Sequence, residues 1–242
     1  MKQKDLFFSL LVVIILLPFL PLPIFAGFQK SFLYNEEYWF LTSFIKFALL
    51  ATLGEVIGLR IKTGNYNAPG FGIMPRAVVW GFLGISIKMA FVVFGAGVPI
   101  FLEKSCGLQH AIDSMKLKDF FDASDNGLGG IRLLTAFSIS ALMNIIFAPV
   151  MMTFHKITDT HITSNGGTIR GFFKPIPFGK IFPSINWLVQ WDFVFKRTIP
   201  FFWIPAHTVT FLMPNEYRVA FAAILGIALG IILSIASMKG KK

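Results

Sequence analysis

The sequence is poor in charge and in cysteine. Only 14% of its 242 residues are charged, whereas a soluble domain carries about a quarter. So few charges cannot cover a water-facing surface, which excludes a chain of soluble domains and an intrinsically disordered chain. The single Cys106 cannot form an intramolecular disulfide.

Motifs that carry enzyme chemistry are also missing. The sequence has no phosphate-binding Gly-Lys loop, no HExxH, no CxxC and no GxSxG. Its four histidines are scattered, and no two of them have ligand spacing on one helix. The acidic residues between 113 and 125 lack the spacing of a calcium loop and predict a solvated connection. We therefore expect no enzyme, no metal site and no cofactor.

Long apolar runs dominate what is present. Of all residues 55% are hydrophobic, and the mean hydropathy is +0.70. A membrane-spanning helix needs roughly 20 mostly apolar residues. We predict an all-α, polytopic integral membrane bundle of about six hydrophobic helices, forming a single membrane domain over residues 1–242. The five long runs are 6–26, 39–59, 77–102, 133–154 and 219–238, and a short sixth run, 198–213, is broken by Pro200 and Pro205.

Lysine and arginine lie between these runs and predict topology. In a six-span arrangement, the compartments on the side of the N-terminus hold 14 of them and the opposite compartments 6. The positive-inside rule then places both termini in the cytoplasm, and the net charge of +10 needs no nucleic-acid partner. The first run, within the N-terminal segment 1–30, is either a retained helix or a cleaved signal peptide. Asp5 and three prolines, Pro18, Pro21 and Pro23, favour the retained helix.

Three charges, Lys46, Glu55 and Lys88, fall inside apolar runs, where a charge is costly unless it faces protein or water. Their depths would let Glu55 and Lys88 reach each other across adjacent helices. Two interpretations stay open: a neutralised internal pair with Lys46 snorkelling to the interface, or a polar pathway. Asn144 is a similar case, either an interhelical hydrogen bond or a pore group.

Small residues are spaced for close helix packing. Gly54 and Gly58 form one GxxxG, and Gly226 and Gly230 form another. Such pairs let two helix backbones approach each other. They predict either packing within the bundle or a homo-oligomer.

Residues 203–218, WIPAHTVTFLMPNEYR, precede an apolar helix that ends in Leu233 and Ser234. This pattern resembles the signature of the Mpv-seventeen and peroxisomal membrane protein family, in which Trp-Pro, Asn-Phe, Pro and Tyr-Arg elements precede a last helix ending in Leu-Ser. Three further stretches agree in order: LGEVI at 53–57, Arg76 followed by Gly84, and FAP at 147–149. Residues 39–238 would form the family-like core, to which the 1–30 helix is an addition.

The resemblance implies a small multi-span protein that is a channel or transporter for small solutes, with membrane lipids and a small-molecule solute as partners and no nucleic acid. We expect it in a prokaryotic plasma membrane. The residues expected to line or gate a polar path are Glu55, Lys88, Asn144 and His207. Those expected to break helices or anchor the last hairpin at the interface are Pro149, Trp203, Pro205, Pro214 and Arg218. The alternative is a non-transporting membrane scaffold or lipid-binding protein, favoured by the aromatic, basic stretch 166–197.

Overall fold

The computed structural model describes residues 3–20 and 22–239, and for 233–239 the backbone alone. Lys2, Pro21, Lys241, Lys242 and the side chains of Leu233 and Ser234 lie outside this description. The described residues form helices and turns, with no strand among them. The main helices are α1 (Gln3–Leu16), α2 (Trp39–Thr63), α3 (Ile73–Ser105), α4 (Ala111–Lys116), α5 (Phe120–Asp125), α6 (Gly129–Ser164), α7 (Phe178–Ser184), α8 (residues 187–212) and α9 (Asn215–Lys239).

Four of these helices, α2, α3, α6 and α9, are long and apolar enough to cross a membrane. The N-terminal segment is a bent pair, Gln3–Phe19 and Pro23–Leu33, whose parts meet at 66° and could serve as one broken span. The predicted all-α fold is therefore confirmed for the described residues, and these helices are candidate membrane spans. The predicted count of six is not confirmed, because among the described residues only four helices, or five with the bent pair, are long and apolar enough.

The long helices extend past their apolar runs by one to three turns, because polar residues at both ends continue the helical hydrogen bonding. α2 ends where Gly64 adopts a left-handed conformation, with φ at 78°, and its N–H caps the carbonyl of Arg60. This conformation is costly for residues with a Cβ.

Close contacts fix the direction of each helix against α2. The carboxylate of Asp5 on α1 pairs with Arg60, 2.7 Å away, so α1 runs antiparallel to α2. α3 returns beside α2, and a Cβ at its Gly84 would lie 2.5 Å from Cβ of Phe47. α9 runs parallel to α2, because the rings of Tyr34 and Tyr217 meet near their starts and Gly54 lies against Ile227 further along.

One glycine of each predicted GxxxG pair, Gly54 and Gly230, lies in this α2–α9 contact. A Cβ at Gly54 would lie 2.8 Å from Cα of Ile227, and one at Gly230 would lie 3.0 Å from the carbonyl oxygen of Gly54. Gly58 is buried as well. The glycines therefore pack within one chain, and a homo-oligomer through them would have to break this contact.

The chain from α6 to α9 must cross the bundle once more. α6 runs antiparallel to α3, since Arg76 near the start of α3 pairs with Asp159 near the end of α6. α6 and α9 thus share the direction of α2, and α8 provides the return. It consists of Trp187–Val189, a π-helical stretch Gln190–Trp203 and Ile204–Leu212. The predicted short run 198–213 is the last part of this longer helix.

The bundle has two distinct ends. We call the end with Arg60, Lys62 and the basic 165–186 connection the basic end, and the opposite end, with α4 and α5, the cap end. The start of α1 and the end of α9 both lie at the basic end, because α1 is antiparallel and α9 parallel to α2.

At the cap end, the predicted solvated loop is folded into α4 and α5. Fully buried Arg132 holds it by donating from Nη1 to the carbonyls of Ser114, at 2.7 Å, and Leu117, at 2.8 Å. Asp119 caps α5 by accepting hydrogen bonds from the backbone of Phe121 and Asp122. The acidic side chains of this segment thus serve as helix caps and ion-pair partners, as solvent-exposed carboxylates commonly do.

Candidate functional site

A cavity of about 200 Å³ lies in the centre of the bundle between α2, α3, α6, α8 and α9. Its polar groups fall into two sets, Glu55 with His155 and Asn144 with His207. Because Asn144 and His155 are eleven residues apart on α6, the two sets lie about 16 Å apart along the helix. The apolar wall between them is formed by Phe47, Ala51, Ile87, Met143, Phe147, Ala148, Met151, Met152, Ala222 and Leu229.

Glu55 closes the cavity toward the basic end. Its Oε2 accepts from Nη1 of Arg76 at 2.6 Å, and its Oε1 accepts from Nε1 of Trp80 at 2.8 Å. Nε2 of His155 lies 3.2 Å from the same Oε1. The carboxylate therefore has a positive partner and two further donors, which is how a charge is held inside an apolar environment.

Arg76 connects this carboxylate to a second one. It also forms an ion pair with Asp159, donates from Nε to the carbonyl of Phe71 at 2.6 Å and lies over the Phe71 ring. We call Glu55, Arg76, Trp80, His155 and Asp159 the ionic cluster. It ties α2, α3 and α6 together and blocks the cavity on the side of the basic end.

The sequence places these groups by helical spacing. Arg76 and Trp80 are four residues apart on α3, and His155 and Asp159 are four apart on α6, so each pair projects from one face. The antiparallel packing of the two helices brings both pairs to the depth of Glu55.

Asn144 and His207 lie at the other end of the cavity and both are buried. The amide nitrogen Nδ2 of Asn144 is 2.9 Å from the carbonyl of Ser140 and 3.0 Å from Nδ1 of His207. The indole of Trp203 stacks on His207 with ring centroids 5.1 Å apart. The structure thus places the predicted interhelical bond of Asn144 between α6 and α8, on the cavity wall.

Lys88 does not contact Glu55, contrary to the pairing suggested by their depths. Its Nζ lies 2.9 Å from Oε1 of Glu36, at the start of α2. The reason is the length of α3, which runs past the beginning of α2, so that its middle is level with Glu36. Lys88 and Glu36 line a separate pocket of about 340 Å³, which we call the cap-end pocket and which also includes Arg218 and Met115.

Lys46 is buried rather than extended into the lipid interface. Its Nζ lies 4.9 Å from the centroid of the Tyr34 ring, a cation–π contact. Burial raises the pKa of Tyr34 to about 12, so the phenol stays neutral and keeps its O–H, which donates to the carbonyl of Phe19.

One layer of side chains separates the cap-end pocket from the central cavity. Phe91 lines the pocket, and its ring meets that of His207, which lines the cavity, at 5.6 Å. Phe211, with no exposed surface, packs on Phe91 at 5.1 Å. Val219 completes the layer, one turn before cavity-lining Ala222. We call Phe91, Phe211 and Val219 the aromatic layer.

The remaining predicted residues surround this arrangement. Arg218 donates to the carbonyls of Met213 and Phe211 and so fixes the turn from α8 to α9, where Pro214 lies. Pro205 is exposed in the first turn of Ile204–Leu212. Pro149 lies inside α6, away from the cavity, in a side groove with Phe195.

Sequence reasoning missed most of the ionic cluster and the aromatic layer. From sequence, Arg76 is a topology charge and part of the family-like Arg-to-Gly spacing, and His155 is one of four scattered histidines without metal-ligand spacing. The available signal was the pair of i, i+4 spacings, Arg76 with Trp80 and His155 with Asp159, near helix ends that the topology places on the same side. Phe91 carries no signal among 29 phenylalanines, and Phe211 is marked only as part of the family-like stretch 203–218.

In the part of the chain that the structure describes, no group of three or more His, Cys, Asp or Glu side chains could hold a metal ion. Comparisons with protein-family models, with curated proteins and with solved structures gave no match.

Proposed function

We propose that the protein gives small solutes a path through the centre of its helical bundle, as a channel or a transporter. The observation that carries this proposal is that the cap-end pocket and the central cavity are neighbours, since Phe91, which lines the first, contacts His207, which lines the second. A chain that needed helices only for packing would fill such spaces, because membrane helices associate through close contact.

The path is closed at two places. The aromatic layer blocks it toward the cap end, and hydrophobic constrictions of this kind gate channels by excluding water. The ionic cluster blocks it toward the basic end, where Arg76 holds Glu55 and Asp159 at once. Opening therefore requires movement at both barriers, together in a channel or in turn in a transporter.

The proposed setting is a prokaryotic plasma membrane with the basic end in the cytoplasm. The excess of Lys and Arg at that end supports this orientation. The resemblance to the Mpv-seventeen family supports the proposed function by position, since Trp203 of the Trp-Pro element lines the cavity and Arg218 of the Tyr-Arg element lines the cap-end pocket.

Solute flux into proteoliposomes tests the proposal. Osmotic swelling in glycerol or erythritol reports uncharged solutes, and swelling in potassium chloride reports ions. We expect Phe91→Ala to raise the swelling rate over wild type, because once the aromatic layer is opened the path needs movement at the ionic cluster alone. The matched control is Phe82→Ala on the lipid-facing side of α3, where the ring is 58% exposed.

If Phe91→Ala and Phe82→Ala, both folded by circular dichroism, swell at the wild-type rate with every solute, the proposal is wrong. A lipid-binding protein is then the better candidate. The observation favouring it is the stretch 166–197, where Phe173 is 77% and Leu188 72% exposed among basic residues. It expects co-purified lipid that is lost when Lys174 and Lys180 are changed to Ala.

A further inference from the structure

The hydrogen bonds of Asn144 determine the protonation of His207. Its Nδ2 donates to the carbonyl of Ser140, which fixes the orientation of the amide. The same Nδ2 then donates its second proton to Nδ1 of His207. An imidazole nitrogen that accepts a hydrogen bond carries no proton, so the ring is neutral and its proton is on Nε2.

Two polar atoms remain for a ligand. Among the described residues, Oδ1 of Asn144 and Nε2 of His207 have no hydrogen-bond partner, although Asn144 is only 1% and His207 8% exposed. Both residues line the central cavity. The cavity wall thus offers one acceptor and one donor, and a buried polar atom gains stability when a ligand satisfies it.

The rest of the cavity sets the size and polarity of what fits. A dry cavity of about 150 Å³ holds one benzene molecule, so about 200 Å³ accommodates a molecule of that size or slightly larger. The walls between the two polar ends are aliphatic, aromatic and methionine side chains. They favour an apolar body over a chain of waters.

Charged molecules are disfavoured at both ends. The carboxylate of Glu55 is already neutralised by Arg76, so a cation would gain little attraction there, and an anion would face the carboxylate. Asn144 and His207 contribute no net charge. Burying an unpaired ion among apolar walls costs several kcal/mol, on the order of the penalty for isolated charges in proteins.

We infer that the central cavity binds one compact, uncharged molecule with an apolar body and a single hydroxyl or amide group, which hydrogen-bonds to Asn144 and His207. This inference deepens the proposed function and relies on it for the purpose of the binding, because it names the solute class of the same path. The binding itself can be measured without transport.

The test uses ¹⁹F NMR on the purified full chain in detergent with three probes of similar size. These are 4-fluorobenzyl alcohol, fluorobenzene, which lacks the hydroxyl, and 4-fluorobenzoate, which is charged. We expect saturable binding of the alcohol, binding of fluorobenzene that is at least about five- to tenfold weaker, since a single lost hydrogen bond already has that effect, and no binding of the benzoate. Equal affinity for the alcohol and fluorobenzene, or tighter binding of the benzoate, would overturn the inference.

Two variants locate the binding. Asn144→Leu removes the acceptor and should lower the preference for the alcohol over fluorobenzene about five- to tenfold, the usual effect of one lost hydrogen bond. Gly226→Leu should abolish the saturable binding of all probes. The signal that remains in this variant then measures the partition of each probe into detergent. Gly226 lines the cavity, and a Cβ there meets nothing closer than 3.9 Å, so the larger side chain can enter the empty space. Saturable binding that survives Gly226→Leu places the probe elsewhere and contradicts the inference.

The outcomes separate this inference from the proposed function. Selective binding of the alcohol with no flux in any gate variant would disprove transport and leave the binding site. Flux through Phe91→Ala without selective binding would support the path and disprove the solute class. The binding of the three probes is compared on the wild-type protein, so this comparison does not depend on a variant folding.

Discussion

Nη1 of Arg76 on α3 lies 2.6 Å from Oε2 of Glu55 on α2, and this ion pair links the two helices inside the bundle. Arg76 also pairs with Asp159 on α6. Loss of the guanidinium therefore removes the positive partner of two carboxylates at once.

We therefore expect Arg76→Met to lower the free energy of unfolding by about 3–5 kcal/mol, the range for removing one partner of a buried ion pair. Unfolding by sodium dodecyl sulfate in mixed micelles measures it. Lys196→Met is the control, because the Lys196–Asp192 pair is more than half exposed, and exposed pairs contribute little. A similar stability for both variants would mean that the ionic cluster does not hold the three helices.

The packing of α3 on α2 depends on Gly84. Its absent Cβ leaves room for Phe47, and Gly84→Ala would press a methyl group against that ring. We expect a loss of about 1–3 kcal/mol, typical of overpacking, in the same unfolding assay.

Gly97→Ala on the same helix is the matched control for Gly84→Ala, because nothing lies within 4 Å of its Cβ position. We expect it to be neutral or to stabilise by up to about 1 kcal/mol, through helix propensity. If the two alanines have equal effects, the ring of Phe47 does not pack against α3 as described.

Arg132 determines the order of the cap end. We expect Arg132→Met to free the carbonyls of Ser114 and Leu117 and to speed amide hydrogen exchange across residues 111–125, with α2 and α9 unchanged. Arg170→Met, a change of an exposed arginine at the basic end, should leave that exchange as in wild type. Exchange that stays slow in Arg132→Met would show that other contacts hold the cap.

The single cysteine reports orientation. Cys106 is exposed just after α3, at the cap end, and the proposed topology places that end outside the cytoplasm. We expect a membrane-impermeant maleimide to label Cys106 in intact cells.

The matched variant for this labelling is Ser164→Cys in a Cys106→Ser background, since Ser164 is exposed at the end of α6, at the basic end. It should react only after permeabilisation. The reverse pattern would place the cap end in the cytoplasm and contradict the positive-inside assignment.

Hydropathy was sufficient to find α2, α3, α6 and α9, because a long uncharged run has few alternatives to a spanning helix. It placed α8 too late and made it too short, since Asp192, Lys196 and Arg197 interrupt the apolar run while the π-helical stretch continues through them. It also could not show the 66° bend of the N-terminal pair.

Depth alone was not sufficient to pair charges. Sequence alone gives Glu55 and Lys88 similar depths in the membrane, because it lets each apolar run start and end at the membrane surface. The register between α2 and α3 depends instead on which glycine of α3 packs against which phenylalanine of α2. Because Gly84 packs against Phe47, Lys88 lies next to Glu36 and not next to Glu55. Side-chain contacts of this kind are not visible in a single sequence.

The glycine contact between α2 and α9 makes these two helices a fixed frame. The backbones of the two helices touch at Gly54 and Ile227, with almost no layer of side chains between them. The helices therefore have little room to slide or rotate against each other. Of the aromatic layer, only Val219 belongs to this frame, whereas Phe91 and Phe211 belong to α3 and α8. On the proposed path, a solute would therefore have to displace α3 or the end of α8, which joins α9 through the turn at Pro214 that Arg218 holds.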